Sequence, residues 1–156
     1  MITILRPGQA PLKIEFILID FEGTLALDGR VHPKAKDKIN LLSKRTKLFV
    51  FTTGEKTLVE ERLRKVNAEI VYVAESEASR QKLDLLRQLG PGKTVSIGNG
   101  ADDAVMIEEA GLGICIIGKE AAAGEALRRA DLVVTNILDA LDFLLKPLRQ
   151  KATLGK

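Results

Sequence analysis

The chain has 156 residues, of which 46% are hydrophobic and 29% are charged, as is typical of one globular domain and not of a disordered protein. The formal net charge of +3 is small, and basic and acidic residues are mixed along the chain, which argues against a nucleic-acid-binding surface. The apolar runs are too short to cross a bilayer, the start lacks signal-peptide organisation, and the single Cys115 excludes an intrachain disulfide. We therefore expect one cytoplasmic domain over residues 1–156, with no nucleic-acid or membrane partner.

The first predicted element is an N-terminal β-hairpin within residues 1–15. Ile2–Leu5 and Leu12–Glu15 are short apolar runs, and the segment between them contains Pro and Gly, which favour a turn. A second tight turn is predicted at Leu27-Asp28-Gly29-Arg30, because an Asp-Gly pair suits a two-residue hairpin loop.

From residue 16 onward, short β-rich apolar runs alternate with longer segments of helical period. The predicted strands are Phe16–Asp20, Lys47–Thr52, Glu69–Ala74, Thr94–Gly98, Leu112–Ile117 and Asp131–Thr135. The predicted helices are Pro33–Arg45, Lys56–Val66, Glu77–Leu89, Asp102–Ala110, Glu120–Arg129 and Ile137–Leu145. After the last helix, residues 147–156 are expected to form a solvated tail. The alternation predicts an α/β fold of three layers, a Rossmann-like, doubly wound parallel sheet between helices.

Two carboxylates, Asp20 and Glu22, stand at the end of the first core strand. Open α/β sheets build their sites at the carboxyl ends of their strands. A carboxylate at this edge is able to ligate Mg²⁺ and attack phosphorus, and a second one two residues later reaches the leaving oxygen and handles its proton. For Asp20 alone, a turn or helix-capping role is the competing interpretation.

Three further polar residues follow the next strands. Thr52 and Thr53 offer hydroxyls and backbone N–H groups to an anion at a helix start, with N-capping as the alternative role. Lys82 lies in a predicted helix. It is either a solvated side chain or a cation that holds a nucleophile and a phosphate together.

The fourth core strand runs into Gly98-Asn99-Gly100-Ala101-Asp102-Asp103. Adjacent carboxylates at a helix start are either caps favoured by the helix dipole or oxygen ligands of a metal. The segment does not fit a dinucleotide-binding loop, because Asp103 stands where the fingerprint needs its third Gly.

In their chain order, these residues resemble the four motifs of the haloacid dehalogenase superfamily. Asp20-Phe21-Glu22-Gly23-Thr24 is similar to the Asp-x-Asp-Gly-Thr signature, Thr52 to the second motif, Lys82 to the third and Gly98–Asp103 to the Gly-Asp-Gly-x-Asn-Asp motif. A two-component receiver domain has a different order, since its acidic pair precedes its phosphorylated Asp.

The resemblance implies a Mg²⁺-dependent phosphohydrolase, a phosphatase, in which Asp20 attacks phosphorus and forms an aspartyl-phosphate that water then hydrolyses. Glu22 would act as general acid and base, and Lys82 would assist catalysis. The implied Mg²⁺ ligands are Asp20, Glu22 through its carbonyl, Asn99 and Asp103. The implied phosphate-binding groups are Thr52, Lys82 and the backbone N–H groups of Phe21 and Thr53.

Two residues depart from the family's pattern. Glu22 stands where most of the phosphatases have Asp, and one additional methylene misplaces the acid relative to the leaving oxygen. Asn99 replaces the first Asp of the fourth motif, which removes a negative charge from the metal neighbourhood. Both departures support an alternative, a catalytically weak or inactive domain of the same fold that binds phosphate or Mg²⁺ for regulation.

The segments Glu109–Ile114 and Glu125–Val134 resemble the closing part of a P-type ATPase phosphorylation domain, which indicates a soluble relative of those pumps. Neither Leu25–Arg45 nor Thr53–Gln81 is long enough to hold the cap module that the superfamily inserts there. The open site suits a phosphorylated small molecule, an exposed phosphorylated group on a macromolecule, or a homo-oligomer whose neighbour supplies the lid.

Overall fold

The computed structural model describes residues 1–155, and its centre is a six-stranded parallel sheet. In chain order the strands are β1 (Ile2–Ile4), β2 (Leu12–Ile14), β3 (Phe16–Asp20), β4 (Ala26–Leu27), β5 (Arg30–Val31), β6 (Lys47–Thr52), β7 (Glu69–Tyr72), β8 (Thr94–Gly98), β9 (Leu112–Ile116) and β10 (Leu132–Val134). The sheet has the order β10-β9-β8-β3-β6-β7. The predicted α/β fold is therefore confirmed.

Helices cover both faces of this sheet. They are α1 (Pro33–Leu42), α2 (Lys56–Arg62), α3 (Ala78–Leu89), α4 (Ala104–Glu109), α5 (Gly124–Arg129), α6 (Ile137–Leu145) and α7 (Pro147–Leu154). One apolar cluster joins α1, α2 and α6 to the sheet, and a second joins α3 and α4 to its other face. Within residues 1–155, no helix combines the length and apolar character of a membrane span.

The central strand β3 is buried on both faces, as parallel strands between two helical layers are. Ile17 and Ile19 pack into the cluster with α1 and α6, whereas Leu18 packs into the cluster with α3 and α4. All three side chains have no exposed surface. This continuous apolar run explains why the sequence pattern located β3 from its first residue to its last.

The direction in which strands are added to the sheet reverses beside β3. The chain adds β6 and β7 on one side of β3 and then returns to place β8 on the other side. Ligands bind at such a reversal point, outside the carboxyl ends of the strands. The ends of β3, β6 and β8 carry the first, second and fourth predicted motifs, so the topology brings these three motifs together.

Two small hairpins flank the sheet, as predicted. β1 pairs antiparallel with β2, and β4 pairs antiparallel with β5. The second hairpin turns through Asp28 and Gly29, which have φ angles of 52° and 77°. Both positive φ angles are those of the predicted Asp-Gly turn. Between β3 and β6 the chain forms only this second hairpin, which we call the flap, and α1. No cap domain is therefore inserted there.

Several helices are shorter than the sequence pattern predicted. The helix expected over Glu120–Arg129 begins only at Gly124, because Ala121 has a φ of 63° and cannot belong to a right-handed helix. The helix expected over Asp102–Ala110 starts with a 3₁₀ turn at Ala101–Asp103 before α4. Helix α1 ends at Leu42 instead of Arg45, where Thr46 Oγ1 donates to the Leu42 carbonyl at 2.8 Å.

The segment expected to be a solvated tail forms the helix α7 over Pro147–Leu154. Most of its residues are exposed, as expected, but one is buried. Gln150 on this helix has no exposed surface. Its Oε1 accepts a hydrogen bond from Leu5 N at 3.0 Å, and its Nε2 donates to the Phe143 carbonyl at 2.9 Å. The hydrophobicity pattern missed this anchor because a lone glutamine among basic residues has the pattern of an exposed segment.

Candidate active site

A cleft of about 250 Å³ opens at the carboxyl ends of β3, β6 and β8. The residues that line it are Asp20, Glu22, Thr52, Thr53, Val73, Glu75, Lys82, Asn99, Gly100 and Asp102. The four predicted motifs therefore meet at one place, although they are spread over more than half of the chain.

Lys82 is the point where three of the motifs meet. It is 1% exposed, and its Nζ lies 3.0 Å from Asp20 Oδ1, 2.9 Å from Asp102 Oδ2 and 2.7 Å from Asp103 Oδ1. An ammonium has three protons to donate, so the three carboxylates together accept every hydrogen bond that Lys82 is able to donate. Burial alone lowers the pKa of Lys82, but Asp103 and Asp20 outweigh burial and raise that pKa above its usual value.

Asp20 is the last residue of β3 and is 6% exposed. Burial raises its pKa well above the usual value, and the neighbouring charge of Asp103 adds to the shift, which Lys82 only partly offsets. Oδ1 is held by Lys82, whereas Oδ2 lies 3.4 Å from Thr24 Oγ1. Oδ2 is therefore the less constrained of its two oxygens.

Asp103 is fully buried and holds the loop of the fourth motif. Its Oδ2 accepts hydrogen bonds from the backbone N–H groups of Asn99 and Gly100, both at 3.0 Å, while its Oδ1 accepts from Lys82. Burial is the main cause that raises its pKa. A Cβ at Gly98 would lie 2.4 Å from Asp103 Cγ, so only glycine fits beside this carboxylate.

Asp103, which the sequence predicts as a Mg²⁺ ligand, is buried and does not line the cleft, and its role as a ligand stays a prediction. Both of its oxygens are already hydrogen-bonded and neither is exposed. Asp102, the other member of the predicted carboxylate pair but not one of the four predicted Mg²⁺ ligands, lines the cleft with a side chain that is 43% exposed. Adjacent aspartates look alike in a sequence, and only the course of the 3₁₀ turn decides which one faces the cleft.

Asn99 is fixed on two sides. Its Oδ1 lies 3.1 Å from the hydroxyl of Thr24, and its Nδ2 donates to the Ala121 carbonyl at 3.1 Å. A Cβ at Gly23 would lie 2.6 Å from Asn99 Nδ2, and Gly23 has a φ of 78°. Glycine is thus required there both for space and for the backbone angle. Thr24, the last residue of the first motif, is a site residue that the sequence analysis did not single out.

Glu22 and Thr52 contact each other directly. Thr52 Oγ1 donates to Glu22 Oε1 at 2.5 Å and accepts from Gly54 N at 2.9 Å. Since a hydroxyl has one proton, the proton of Thr52 is committed to Glu22. Thr52, the predicted phosphate-binding residue, is therefore hydrogen-bonded to Glu22, the predicted acid and base, in this structure.

The prediction that Phe21 N–H binds phosphate is wrong for this structure. That group donates to the Phe51 carbonyl at 2.8 Å and so continues the pairing of β3 with β6. The N–H groups of Glu22 and Thr53 make no hydrogen bond with any other residue in the described part of the chain. Both residues line the cleft, which makes these N–H groups the free donors for an anion.

The carboxylate and amide oxygens in and beneath the cleft suit a divalent cation that prefers oxygen ligands. The carboxylates of Asp20, Asp102 and Asp103 surround the single ammonium of Lys82 and leave two negative charges in excess. Asp20 Oδ2 and Asn99 Oδ1 both lie within 3.4 Å of the Thr24 hydroxyl and so face the same point. Carboxylate and amide oxygens are ligands that Mg²⁺ accepts.

Side-chain carboxylates alone do not complete such a site. Across residues 1–155, no group of three or more His, Cys, Asp or Glu side chains is arranged to hold a metal. The amide oxygen of Asn99 and a backbone carbonyl such as that of Glu22 would therefore be needed beside Asp20. These three residues are among the four Mg²⁺ ligands predicted from the sequence, and the whole set, with Asp103, stays a prediction.

Comparison with known proteins identifies one sequence relative and a set of structural relatives. No protein-family profile matches the chain. The uncharacterized protein MJ0073 of Methanocaldococcus jannaschii is 42% identical over 83 residues, which is 53% of this chain and 89% of that protein. The match covers most of the archaeal protein, so the two chains share a family.

Solved structures share the fold at low sequence identity. The 3-deoxy-D-manno-octulosonate 8-phosphate phosphatase of Moraxella catarrhalis, in complex with magnesium, phosphate and KDO, has a TM-score of 0.72 and 17% identity over 86% of this chain and 87% of that chain. A haloacid dehalogenase superfamily (subfamily III A) hydrolase from Legionella pneumophila has a TM-score of 0.72 and 20% identity over 92% and 87%. The chain therefore has the haloacid dehalogenase fold and belongs to the same family as MJ0073 of Methanocaldococcus jannaschii.

Proposed function

We propose that this protein is a Mg²⁺-dependent phosphatase that works through an aspartyl-phosphate on Asp20. The observation that carries the proposal is the contact of Asp20 with Lys82 and of Lys82 with Asp103, at the sheet edge where the free N–H groups of Glu22 and Thr53 also lie. The fold shared with phosphatases supports it. A buried nucleophile, a fixed cation and free anion donors are the parts that phosphoryl transfer requires.

In the first step, the Asp20 carboxylate, which Lys82 holds in place, attacks phosphorus. The bond between phosphorus and the leaving oxygen breaks, and Glu22 gives its proton to that oxygen. In the second step, water attacks the phosphorus of the aspartyl-phosphate and Glu22 takes a proton from it. Inorganic phosphate leaves, and Asp20 returns as a carboxylate.

The phosphoryl oxygens would be held by the N–H groups of Glu22 and Thr53. Thr52 and Lys82 would join them once each releases one present acceptor, Glu22 for Thr52 and the exposed Asp102 for Lys82. Mg²⁺, when bound near Asp20 and Asn99, would supply positive charge that offsets repulsion between the nucleophile and the phosphoryl group. Thr52 donates to Glu22 in this structure. Binding of a phosphoryl group therefore requires Glu22 to release Thr52, which also frees Glu22 to turn toward the leaving oxygen.

Within the superfamily, we assign the chain to the soluble relatives of the P-type ATPase phosphorylation domain. The support is the resemblance of residues 109–114 and 125–134 to the closing part of that domain and the absence of a cap between β3 and α3. The substrate is a phosphorylated small molecule or an exposed phosphorylated group on a macromolecule, in the cytoplasm. A homo-oligomer would cover the open cleft.

A regulatory domain that binds phosphate or Mg²⁺ without turnover is the second candidate. The bond between Thr52 and Glu22, which occupies a predicted phosphate-binding group, favours it. The amide of Asn99 in place of a carboxylate favours it as well, because an amide contributes a dipole where a carboxylate contributes a charge.

Phosphate release from p-nitrophenyl phosphate, acetyl phosphate and nucleotides, with Mg²⁺ and with a chelator, distinguishes the two candidates. The phosphatase requires turnover that depends on Mg²⁺ and is lost in Asp20→Asn, which keeps the shape of the side chain but removes the nucleophilic carboxylate. Turnover that survives in a folded Asp20→Asn protein would exclude the proposed mechanism. Absence of turnover with retained binding of phosphate would support the regulatory domain.

A further inference from the structure

The residues that line the candidate active site include acidic side chains besides the aspartates that contact Lys82. Glu22, Glu75 and Asp102 line the cleft with Asp20, and Lys82 is the only basic residue among the described residues that line it. The ammonium of Lys82 already contacts three carboxylates. No cation of the cleft wall is therefore left to pair with the two glutamates.

Glu75 has a defined place in this wall. Val73 N donates to the Thr52 carbonyl at 2.9 Å, and Ala74 N donates to Gln81 Oε1 at 2.8 Å. These two bonds tie the segment before Glu75 to the end of β6 on one side and to the helix that carries Lys82 on the other. Glu75 thus lines the same cleft as the groups proposed to hold the phosphoryl oxygens.

The carboxylate of Glu75 is exposed and without a partner. It makes no hydrogen bond and no ion pair with any other residue between 1 and 155, whereas the nearby Glu77 pairs with Arg80 at 2.7 Å. The charge of Glu75 is therefore available to whatever enters the cleft. A divalent cation at the proposed centre would offset the excess charge around Asp20, whereas the charge of Glu75 lies on an exposed residue of the cleft wall.

We propose that Glu75 is a specificity-determining residue that selects substrates by the charge of the leaving group. This inference rests on the proposed phosphatase function and names its substrate class, phosphate monoesters whose small leaving group is cationic, such as an alkylammonium. A cleft of about 250 Å³ accepts a phosphoryl group with a short leaving group. An ammonium near Glu75 is attracted, and a carboxylate there is repelled.

Three esters with two-carbon leaving groups test the inference. They are 2-aminoethyl phosphate, 2-hydroxyethyl phosphate and phosphoglycolate, whose leaving groups are cationic, neutral and anionic. We expect kcat/KM to fall in that order, with a ratio on the order of tenfold or more between the first and the last at low salt. The ratio should shrink at about 0.5 M NaCl, because salt screens charges near the surface.

Substitution of Glu75 isolates its contribution. Glu75→Gln should lower the ratio of kcat/KM for the cationic ester over the anionic ester by roughly fivefold, because it removes the charge and keeps the shape. The matched control is Glu61→Gln, which removes the same charge from an exposed position on α2 outside the cleft. That control should leave the ratio unchanged.

The outcomes separate this inference from the proposed function. A ratio near one in the parent protein, or a ratio that Glu75→Gln leaves unchanged, overturns the selection by charge. Lack of turnover with all three esters and p-nitrophenyl phosphate overturns the phosphatase. In that case, calorimetric titration of the same esters into the parent and Glu75→Gln proteins with Mg²⁺ decides the selection. Tightest binding of the cationic ester, weakened in the variant, supports it, and any other order contradicts it.

Discussion

Glu22 and Thr52 contact each other in the cleft, and we expect the loss of this contact to change phosphate binding. The Thr52 hydroxyl reaches Glu22 at 2.5 Å, and a side chain one methylene shorter would not reach it. We predict that Glu22→Asp binds inorganic phosphate about tenfold more tightly, because the freed hydroxyl donates to the anion. Hydrolysis of p-nitrophenyl phosphate should also rise. Phosphate inhibition constants and steady-state rates measure the two effects.

Glu22→Gln is the matched control for that prediction. The amide keeps the length of the side chain and an oxygen that accepts from Thr52, but it has no proton to give at neutral pH. Its rate should fall by about a hundredfold if Glu22 acts as acid and base. Phosphate affinity that rises in Glu22→Gln and not in Glu22→Asp would show that charge, and not the hydrogen bond of Thr52, limits binding.

Asn99 supplies an amide where the resembling motif has a carboxylate. Its Oδ1 faces the same point as Asp20 Oδ2, beside the Thr24 hydroxyl. We predict that Asn99→Asp tightens Mg²⁺ binding by roughly tenfold, because a carboxylate adds a charge to the oxygen that is already there. Calorimetric titration with Mg²⁺ measures the change.

An equivalent substitution far from the cleft tests whether the effect is local. Asn67→Asp adds the same charge at an exposed position before β7, where Asn67 donates to Ser43. It should leave the Mg²⁺ affinity unchanged. Equal affinity of the Asn99→Asp protein and the parent, with circular dichroism confirming the fold of both, would exclude Asn99 from the metal site.

Helix α7 depends on one buried side chain. Gln150 bonds to Leu5 N and to the Phe143 carbonyl, and Gln150→Ala leaves both of these groups without their partner. We predict a loss of about 2 kcal/mol in the free energy of unfolding, and a fall in Tm of roughly 4–8 °C for a chain of this size. Thermal unfolding measures it, with exposed Lys151→Ala on the same helix as the control. Similar values for the two variants would contradict the anchor.

Asp142 connects α6 to two other helices. It accepts from Lys38 of α1 at 2.5 Å and lies 3.6 Å from Lys146 and 3.8 Å from Arg149. The hydrogen bond from Lys38 is the main cause that lowers the pKa of Asp142. Because the folded pKa is below the unfolded value of about 4, this stabilisation is present above pH 4 and is lost as pH falls through the folded pKa.

We predict that Asp142→Asn lowers the free energy of unfolding by about 1 kcal/mol at neutral pH. The difference from the parent should narrow as pH falls below about 4, since the parent carboxyl then becomes neutral as well. Urea unfolding at a series of pH values measures both. Asp37→Asn, at an exposed position of α1, is the control and should show little effect at any pH. A difference that persists at low pH would contradict an ionic contribution.

The fold was predictable because its strands are short, apolar and separated by helical segments. The bounds of β3, β6 and β8 agree with the sequence pattern to the residue. Burial on both faces leaves Asp20, at the end of β3, as the only polar residue of that strand. Helix ends were less predictable. The interruption at Ala121 depends on a backbone angle, which no side-chain periodicity encodes.

Within the site, the order of the motifs predicted which residues meet, but not how they bond. The cleft gathers Asp20, Glu22, Thr52 and Asn99 as expected from the strand ends, and Lys82 reaches it from α3. The use of Phe21 N–H in the sheet depends on how far β3 and β6 stay paired, and the burial of Asp103 depends on a 3₁₀ turn. Both are properties of the backbone course and leave no mark in the residue types.

At the scale of the whole molecule, the central strand connects the two helical layers. Ile17 and Ile19 belong to one apolar cluster and Leu18 to the other, so neither layer keeps its core when the other is lost. We predict one cooperative unfolding transition with an enthalpy of about 110 kcal/mol near 60 °C for a chain of this length. Agreement of calorimetric and van 't Hoff enthalpies tests it. Two resolved transitions would contradict a single domain.

The strand lengths across the sheet have a consequence for association between molecules. The sheet narrows from six residues in β6 to four in the outer strand β7 and three in the outer strand β10. Outer strands expose unpaired backbone groups that recruit strands of other chains, and short ones offer few such groups. The taper therefore protects the sheet against edge-to-edge aggregation. A second copy that covered the cleft would have to attach through side chains of the flap and helices, and not by extending the sheet.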